Sequence, residues 1–368
     1  MSRCLIALSL AATQLIAAPA QAESSGPTSD RAEMVERAIG FLKTSRDDQG
    51  AYSPHVGPAV TALVATGLIR NGRSVSDPMV ADALQYVASF AQPDGGVYAP
   101  GSMYRNYETC VAIQCFQAAA VSPGASEDYA ELLAAAESFV KGLQWDDEEG
   151  HDASSPSFGG AGYGRHGRPD LSNTSFLIDA LHAMGRGPDD PAMQRALAFV
   201  SRTQNLESEH NTTPFATKVN DGGFYYTPAA GGSSQAGETA TGGLRSYGSM
   251  TYAGLKSMIY AGVGPEDQRV KAAVAWIGRH YTVDENPGMG TSGQFYYYHT
   301  LAKALHAAGL AEVTDSEGAS HDWRSDLQTK LASLQQDSGA WVNPDERWLE
   351  SDPNLATAYL LLALSYCQ

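Results

Sequence analysis

Apolar residues recur along the chain in six windows with the same helical spacing. They fill the second, sixth and ninth positions of each window, and offsets of four and three place residues on one face of an α-helix. The six sets are Val35/Ile39/Leu42, Val80/Leu84/Val87, Leu133/Glu137/Val140, Met193/Leu197/Val200, Val270/Val274/Ile277 and Leu327/Leu331/Leu334. Glu137 is the one polar member of these sets. The pattern predicts six amphipathic helices.

A glycine followed closely by an aromatic residue comes after each amphipathic helix. It predicts a turn, because glycine allows the backbone conformations that a tight reversal needs. The pairs are Gly50/Tyr52, Gly96/Tyr98, Gly162/Tyr163, Gly223/Phe224, Gly293/Phe295 and Gly339/Trp341. A second helix, apolar on nearly every side, follows each turn, as in TSFLIDALHAMG and TAYLLLALSYC. Helices of that kind are buried on most faces.

Six buried helices that alternate with six amphipathic ones predict an all-α fold. We expect an α/α toroid of six helical hairpins, with the buried helices as an inner ring and the amphipathic helices around it. Two connections are long, over residues 146–168 and 205–247, and loops of such length in a compact domain are usually functional or mobile. Both lie at the edge where inner helices begin, so we expect the mouth of the toroid there.

The first residues have the pattern of a secretory leader. Arg3 precedes an apolar run that ends in Ala20-Gln21-Ala22, which is the arrangement of a signal peptide and its cleavage site. The run is shorter than a membrane span and is interrupted by polar residues. The sequence predicts a signal peptide over residues 1–22, export to a periplasmic or extracellular location, and one toroid domain over residues 23–368 that does not span a membrane.

Charge and cysteine content narrow the expected partners. The chain has 41 acidic and 24 basic residues without a Lys/Arg cluster, so its surface repels phosphate backbones and nucleic acid is not an expected partner. After the leader Cys110, Cys115 and Cys367 remain, an odd number that implies no disulfide framework. The usual spacings of zinc ligands are missing, and we predict neither a metal nor another cofactor.

The repeat and its local motifs resemble the superfamily of squalene–hopene cyclases and protein prenyltransferase β-subunits. QQDSGAW, residues 335–341, fits the Gln-and-Trp repeat of the cyclases, and QPDGGVY, residues 92–98, fits it with Tyr in place of Trp. The resemblance covers nearly all of the chain after the leader. It implies a toroid of six α-hairpins.

The cyclases carry an Asp-x-Asp-Asp proton-donor motif at the start of an inner helix. The resemblance places it at DLSNT, residues 170–174, where Ser172 stands at the position of the proton donor. A serine hydroxyl is far too weak an acid to protonate an alkene. Cyclase chemistry would therefore require Asp170 to take over.

Two further activities of this superfamily and its relatives lack their residues as well. The prenyltransferases hold zinc through Asp, Cys and His. FYYYHT places His299 like the zinc histidine, but Gly248 and Met250 stand where the Asp and Cys would be. We predict that His299 is a hydrogen-bonded pocket histidine. The Cys-Gly-Glu-Gln of thioester domains does not occur.

Polar and aromatic residues are nevertheless concentrated at the predicted inner-helix starts. Asp, Asn, Ser and Thr are ordinary N-caps, whereas tyrosines line lipid-like pockets or sugar-binding grooves and also pack between helices. The candidate binding residues are Tyr104, Tyr107, Ser172, Asn173, Tyr225, Tyr226, Tyr296, Tyr297, Tyr298, His299 and Asn354.

Two functions of different classes follow from these residues. A non-catalytic binding or structural module would use the mouth for a small apolar ligand or a protein partner, which agrees with the missing family chemistries. An enzyme, terpenoid cyclase-like or carbohydrate-active, would use general acid–base chemistry outside the family pattern, since six-hairpin toroids also host carbohydrate-active enzymes. Its candidate catalytic residues are Asp170, Glu108, His299 and Asp352.

Overall fold

Helices alternate along the chain between two rings in the computed structural model, which describes residues 31–125, 128–164 and 167–368. The outer ring contains α1 (Arg31–Ser45), α3 (Pro78–Ala88), α5 (Ala130–Lys141), α7 (Pro191–Arg202), α10 (Gln268–His280) and α12 (Trp323–Leu334). The inner ring contains α2 (Ala59–Arg70), α4 (Arg105–Ala120), α6 (Leu171–Ala183), α9 (Gly248–Tyr260), α11 (Gln294–Ala307) and α13 (Pro353–Ser365). The predicted all-α toroid is confirmed. The predicted leader over residues 1–22 lies outside the described residues.

The connections contain one short α-helix and two short strands among the described residues. The short helix α8 (Ala216–Val219) belongs to the long segment between α7 and α9. Strands β1 (Val313–Thr314) and β2 (Ser320–His321) pair antiparallel between α11 and α12.

The inner ring is closed. Each inner helix packs on the next, from α2 through α4, α6, α9 and α11 to α13, and α13 packs back on α2. Outer helices cover the inner ones; α3, for example, packs on both α2 and α4. The first described residue is tied to the last helix, because Arg31 Nε donates to the Leu364 carbonyl at 2.8 Å. The Asn71 amide, at the end of α2, donates to the Leu361 carbonyl of α13 at 2.9 Å.

A repeated threonine fixes five of the inner helices to the segment that returns from the outer ring. In each case the threonine hydroxyl accepts a hydrogen bond from a buried backbone N–H at 2.9 to 3.2 Å. These residues are Thr61, Thr109, Thr174, Thr251 and Thr357. On α11 Tyr298 takes this place, and its hydroxyl donates to the Val283 carbonyl at 2.7 Å.

The fifth predicted turn, at Gly293 and Phe295, is wrong. Gly293 is the N-cap of α11, with a left-handed φ of 65°, and Phe295 already lies inside that helix. The chain returns from α10 earlier, at residues 281–283, where no glycine is present. The glycine of this pair therefore belongs to a helix start and not to a turn. A helix start also favours glycine when its φ is positive.

Glu137, the polar exception in the outer-helix pattern, is buried and paired. Its two carboxylate oxygens accept a bidentate hydrogen bond from Arg186 at 2.8 Å each, and Lys141 Nζ lies 2.7 Å away. A charge at a buried position is tolerated when opposite charges satisfy it, so the helical pattern holds at this position.

The toroid has two ends. We call the end where the inner helices begin the mouth, and the end where they finish the far end. The long connection over residues 205–247 folds across the mouth side, since the Leu171 N–H donates to the Tyr226 carbonyl at 2.8 Å. None of the helices in the described ranges is long and apolar enough to cross a bilayer.

Candidate functional site

Four aromatic side chains from four inner helices meet beneath the mouth. The Tyr107 ring packs edge-on against Phe176 at 4.8 Å between centroids, and Tyr296 stacks on Phe176 at 6.2 Å and lies 5.9 Å from Tyr359. The hydroxyls of Tyr107 and Tyr359 are 3.4 Å apart. Tyr107 and Tyr296 are half-buried, while Phe176 and Tyr359 are buried. We call these four residues the aromatic floor.

The DLSNT segment forms the start of α6 at the edge of this floor. Asp170 is the N-cap, and its carboxylate accepts hydrogen bonds from the Asn173 backbone N–H and side-chain amide, both at 2.8 Å. The Ser172 hydroxyl instead lies 3.2 Å from the Tyr296 hydroxyl. Asp170 therefore caps α6, and the Ser172 side chain faces the aromatic floor.

Burial dominates the electrostatics of Asp170. It raises the pKa of this carboxyl to about 6, although the hydrogen bonds from Asn173 and the Arg168 charge act in the opposite direction. The hydroxyl of Tyr226 lies within interaction range of the same carboxylate. Arg168 is exposed and donates to the Ser233 hydroxyl at 2.8 Å. Asp170 is thus a carboxyl that changes protonation state near neutral pH, but both of its oxygens already accept hydrogen bonds.

The carboxylates of Glu108 and Asp352, the other two candidates, accept hydrogen bonds from nearby groups of the chain. Glu108 is buried and accepts from the Ala99 N–H at 2.9 Å and from the Ser102 hydroxyl at 2.8 Å. Asp352 caps α13 by accepting from the N–H groups of Asn354 and Leu355 at 2.8 and 3.1 Å. Their oxygens hold local structure, and no bond from either reaches the aromatic floor.

Four of the predicted binding residues lie between the two rings. Tyr225, Tyr297 and Tyr298 are fully buried, and their hydroxyls donate to backbone carbonyls at 2.6 to 2.7 Å. Asn354 bridges the hydroxyls of Ser45 and Ser53 at 2.6 and 3.1 Å. These side chains hold the hairpins together, whereas Tyr107, Ser172, Tyr226 and Tyr296 remain at the mouth.

His299 lies below the aromatic floor. Its ring stacks on Tyr359 with centroids 5.7 Å apart, and its Nδ1 atom has no hydrogen-bond partner among the described residues. Burial and the nearby Lys303 charge hold the pKa of His299 well below its usual range, so the ring is neutral at physiological pH. The hydrogen bond that we predicted for this histidine is not present at Nδ1.

A cleft of about 520 Å³ opens beside the mouth, between the start of α4, the end of α5 and the loop before α6. Its apolar walls come from Met103, Tyr104, Phe139, Leu143 and Tyr163. Met103 is 66% exposed and Tyr104 is 54% exposed, and the Tyr104 ring packs edge-on against Tyr163 at 5.1 Å.

Of the apolar cleft walls, Tyr104 alone was among the predicted binding residues. Phe139 and Leu143 belong to an outer helix and the turn after it, so their role depends on how two hairpins pack. Met103 could have been predicted as an exposed wall, because it is a large apolar residue in the polar segment GSMYRNYE. The cleft volume falls within the range of small-molecule sites.

Comparison with known proteins identifies the architecture. No family model matches the chain, and no curated protein sequence is significantly similar to it. Among solved structures, the chain is similar to type II terpene cyclase MstE from Scytonema, with 15% identity, coverage of 92% of this chain and 98% of the other, and a TM-score of 0.53.

Two carbohydrate-active proteins share the same architecture. A polysaccharide lyase aligns with 12% identity over 93% of this chain and 97% of the other, with a TM-score of 0.54. A glycosyl hydrolase family 88 protein from Bacteroides vulgatus aligns with 13% identity over 92% of this chain and 98% of the other, with a TM-score of 0.50. At these identities the likeness concerns the fold, and the chain has the α/α-toroid architecture that this terpene cyclase and these carbohydrate-active proteins share.

Proposed function

We propose that the protein is an exported binding protein that holds a small apolar ligand at the mouth of its toroid. The observation that carries this proposal is the cleft of about 520 Å³ with its apolar walls and its exposed rim residues Met103 and Tyr104. Large apolar side chains that face solvent together commonly mark a binding surface. The leader pattern over residues 1–22 supports export.

The commitment of the carboxylates supports binding over catalysis. General acid–base catalysis needs a group within hydrogen-bond reach of the reacting atoms, yet Glu108 and Asp352 hold backbone N–H groups. The cleft itself contains Asp94, whose carboxylate accepts from the Tyr98 hydroxyl at 2.6 Å and the Gly96 N–H at 3.1 Å. Each of these acids has a structural task.

A fluorescent fatty acid, cis-parinaric acid, tests the proposal directly. We expect saturable binding to the wild-type protein, and we expect Met103→Glu to weaken it by about tenfold, because a charge replaces an apolar wall worth roughly 1.5–3 kcal/mol of buried surface. Native mass spectrometry of protein purified from its own host, followed by lipid extraction, would identify a retained ligand.

Gly40→Glu is the control. Gly40 is exposed on the outer helix α1, where a Cβ meets nothing within 4 Å, so this variant adds the same charge away from the cleft and from the far end. Fatty-acid affinity should remain at the wild-type value. Equal weakening in both variants, or no saturable binding to the wild type, contradicts the proposal.

A second candidate function is general acid–base chemistry on a glycan. The observation that favours it is Asp170, whose pKa is raised by burial to about 6 in the same region as the Tyr226 hydroxyl. An acid that titrates near neutrality is suited to proton transfer, and the fold also occurs in a polysaccharide lyase. Asp170 is only 2% exposed, so a substrate would need to displace its hydrogen bond from Asn173.

Incubation with a panel of neutral and acidic polysaccharides distinguishes the two functions. An enzyme would release new chain ends, and Asp170→Asn would abolish that release while Asp322→Asn, at an exposed outer-helix N-cap, would not. A binding protein would produce no new ends from any member of the panel, and this is the result that we expect.

A further inference from the structure

Two buried lysines share one buried aspartate on three neighbouring inner helices. Lys256 Nζ lies 2.6 Å from one oxygen of Asp179, and Lys303 Nζ lies 2.7 Å from the other. Lys256 also donates to the Ser175 hydroxyl at 2.7 Å, and Lys303 donates to the Gln114 amide oxygen at 3.1 Å. We call these five residues the far cluster, because each of the three charged residues stands four positions before the last residue of its helix.

With both lysines protonated, the far cluster carries one more positive than negative charge. The side chains of Lys256, Lys303 and Asp179 are 2%, 6% and 3% exposed, so water screens them poorly. No second carboxylate contacts either ammonium group within the described ranges. The partial negative charge of the inner-helix C-termini offsets part of this excess, but it does not replace a counter-ion.

The pKa values of the three charged residues reflect both their burial and their mutual attraction. Burial lowers the pKa of Lys256 to about 8 and also lowers the pKa of Lys303, against the attraction of Asp179. Burial alone would raise the pKa of Asp179, but the two ammonium groups hold it at about 2. Lys256 is therefore still largely charged at neutral pH.

Each ammonium group retains an unused donor. A lysine has three N–H donors, and Lys256 and Lys303 each use two, one to Asp179 and one to a neutral side chain. Two charged donors that converge on one aspartate thus have capacity for a further acceptor. An oxyanion would supply both the acceptor atoms and the missing negative charge.

The rim of the far end suits an anion as well. It is formed by Arg70, His182, Tyr260, His306 and Tyr366. Arg70 is exposed, and its guanidinium lies over the Tyr366 ring at 5.2 Å. The His182 ring stacks on Tyr260 at 3.8 Å. Burial lowers the pKa of both rim histidines, so the charge of the rim is that of Arg70.

We propose that the far end of the toroid is an anion-binding site, which takes a carboxylate or phosphate group on Lys256 and Lys303 with Arg70 at the entrance. The site is separate from the mouth and lies at the opposite end of the inner ring. In a chain of net charge −17, this cationic end would select acidic small molecules against the field of the rest of the surface.

Isothermal titration calorimetry at constant ionic strength tests the site with two probes, inorganic phosphate and acetate. We expect one saturable site for at least one of them in the wild-type protein. Lys303→Met removes the excess charge and leaves a neutral Lys256–Asp179 pair, so affinity should fall by about tenfold or more, as for a lost charge-assisted hydrogen bond. The probe that binds more tightly identifies the anion class.

Two further variants make the result decisive. Lys271→Met, at an exposed lysine paired with Glu266 on the outer surface, should keep wild-type affinity. Arg70→Gln changes an exposed rim residue and should weaken binding even if Lys303→Met does not fold. The proposal is overturned if neither probe binds, or if Arg70→Gln and every folded Lys303 variant retain the wild-type dissociation constant. A ligand at the mouth does not affect either outcome.

Discussion

Asp170 illustrates how one residue can be both a structural cap and a titrating group. Its carboxylate caps α6 through the Asn173 N–H at 2.8 Å, which is worth about 1 kcal/mol at a typical N-cap. Burial raises its pKa from 3.8 to about 6. The folded state therefore binds this proton more tightly than the unfolded chain, and the associated stability is present below about pH 4 and lost as the pH rises past about 6.

Asp170→Asn should remove this pH dependence, because an asparagine still caps but does not titrate. Between about pH 4 and pH 7 the free energy of unfolding of the wild type should fall, relative to the variant, by up to about 3 kcal/mol for a shift of roughly two pKa units. Urea unfolding at a series of pH values measures this difference. Any cost of the substitution that is independent of pH moves the whole curve without changing its slope.

Asp322→Asn provides the reference for that experiment, since Asp322 caps the outer helix α12 at an exposed position. Its curve reports the effect of exchanging a capping carboxylate for an amide at an exposed site. If the Asp170→Asn curve runs parallel to that of the wild type, Asp170 is better solvated than its 2% exposure indicates.

At the scale of the hairpin, the repeated threonine is the contact that fixes an inner helix to its returning segment. The Thr174 hydroxyl accepts from the buried Ala161 N–H at 2.9 Å and donates to the Asp170 carbonyl at 2.7 Å. Without the hydroxyl, the Ala161 N–H would be buried without a partner. Such a group costs about 1–3 kcal/mol.

Thr174→Val should therefore lower the free energy of unfolding by about 1–3 kcal/mol, since valine has the same shape without the hydroxyl. Thr300→Val is the matched control. Thr300 is also buried and donates to carbonyls of its own helix at 3.0 and 3.1 Å, but it receives no bond from another segment. Chemical denaturation that shows equal losses in the two variants would mean that the bond between segments adds nothing.

The hairpins were predictable from sequence because their signal is a period repeated six times, which survives single exceptions such as Glu137. The tyrosine positions were only partly predictable. Successive residues on an α-helix point about 100° apart, so Tyr296, Tyr297 and Tyr298 cannot all face the mouth. Only Tyr296 reaches the aromatic floor, and the register that decides this depends on contacts with other hairpins.

The far cluster was missed although its signal is local. Asp179 and Lys256 each stand five residues after the repeated threonine of their helices, and Lys303 stands five after Tyr298. A single charge inside an apolar helix is costly unless it is paired. Alignment of the six inner helices on the threonine would have placed these three charges in one layer. The cleft offered no such signal, since its walls come from two hairpins.

At the scale of the whole molecule, closure of the ring makes every hairpin depend on two neighbours. The last inner helix, α13, packs on the first, α2, and hydrogen bonds from Arg31 and Asn71 tie α1 and α2 to α13. Loss of one seam removes support from both sides of the ring. We therefore expect a single cooperative thermal transition, with calorimetric and van't Hoff enthalpies that agree.

Gly67 offers a way to test the closing seam. A Cβ at this position would lie 3.2 Å from the Leu361 Cβ on α13, closer than ordinary packing allows. Gly67→Val should force α2 and α13 apart and lower the free energy of unfolding by about 1–3 kcal/mol, the usual cost of overpacking. Gly40→Val, on the exposed face of α1 where a Cβ meets nothing within 4 Å, should not destabilise the protein. If closure couples the ring, calorimetry of Gly67→Val will show one transition at a lower temperature. Two separate transitions would show instead that the hairpins unfold independently and that the seam does not set the stability of the toroid.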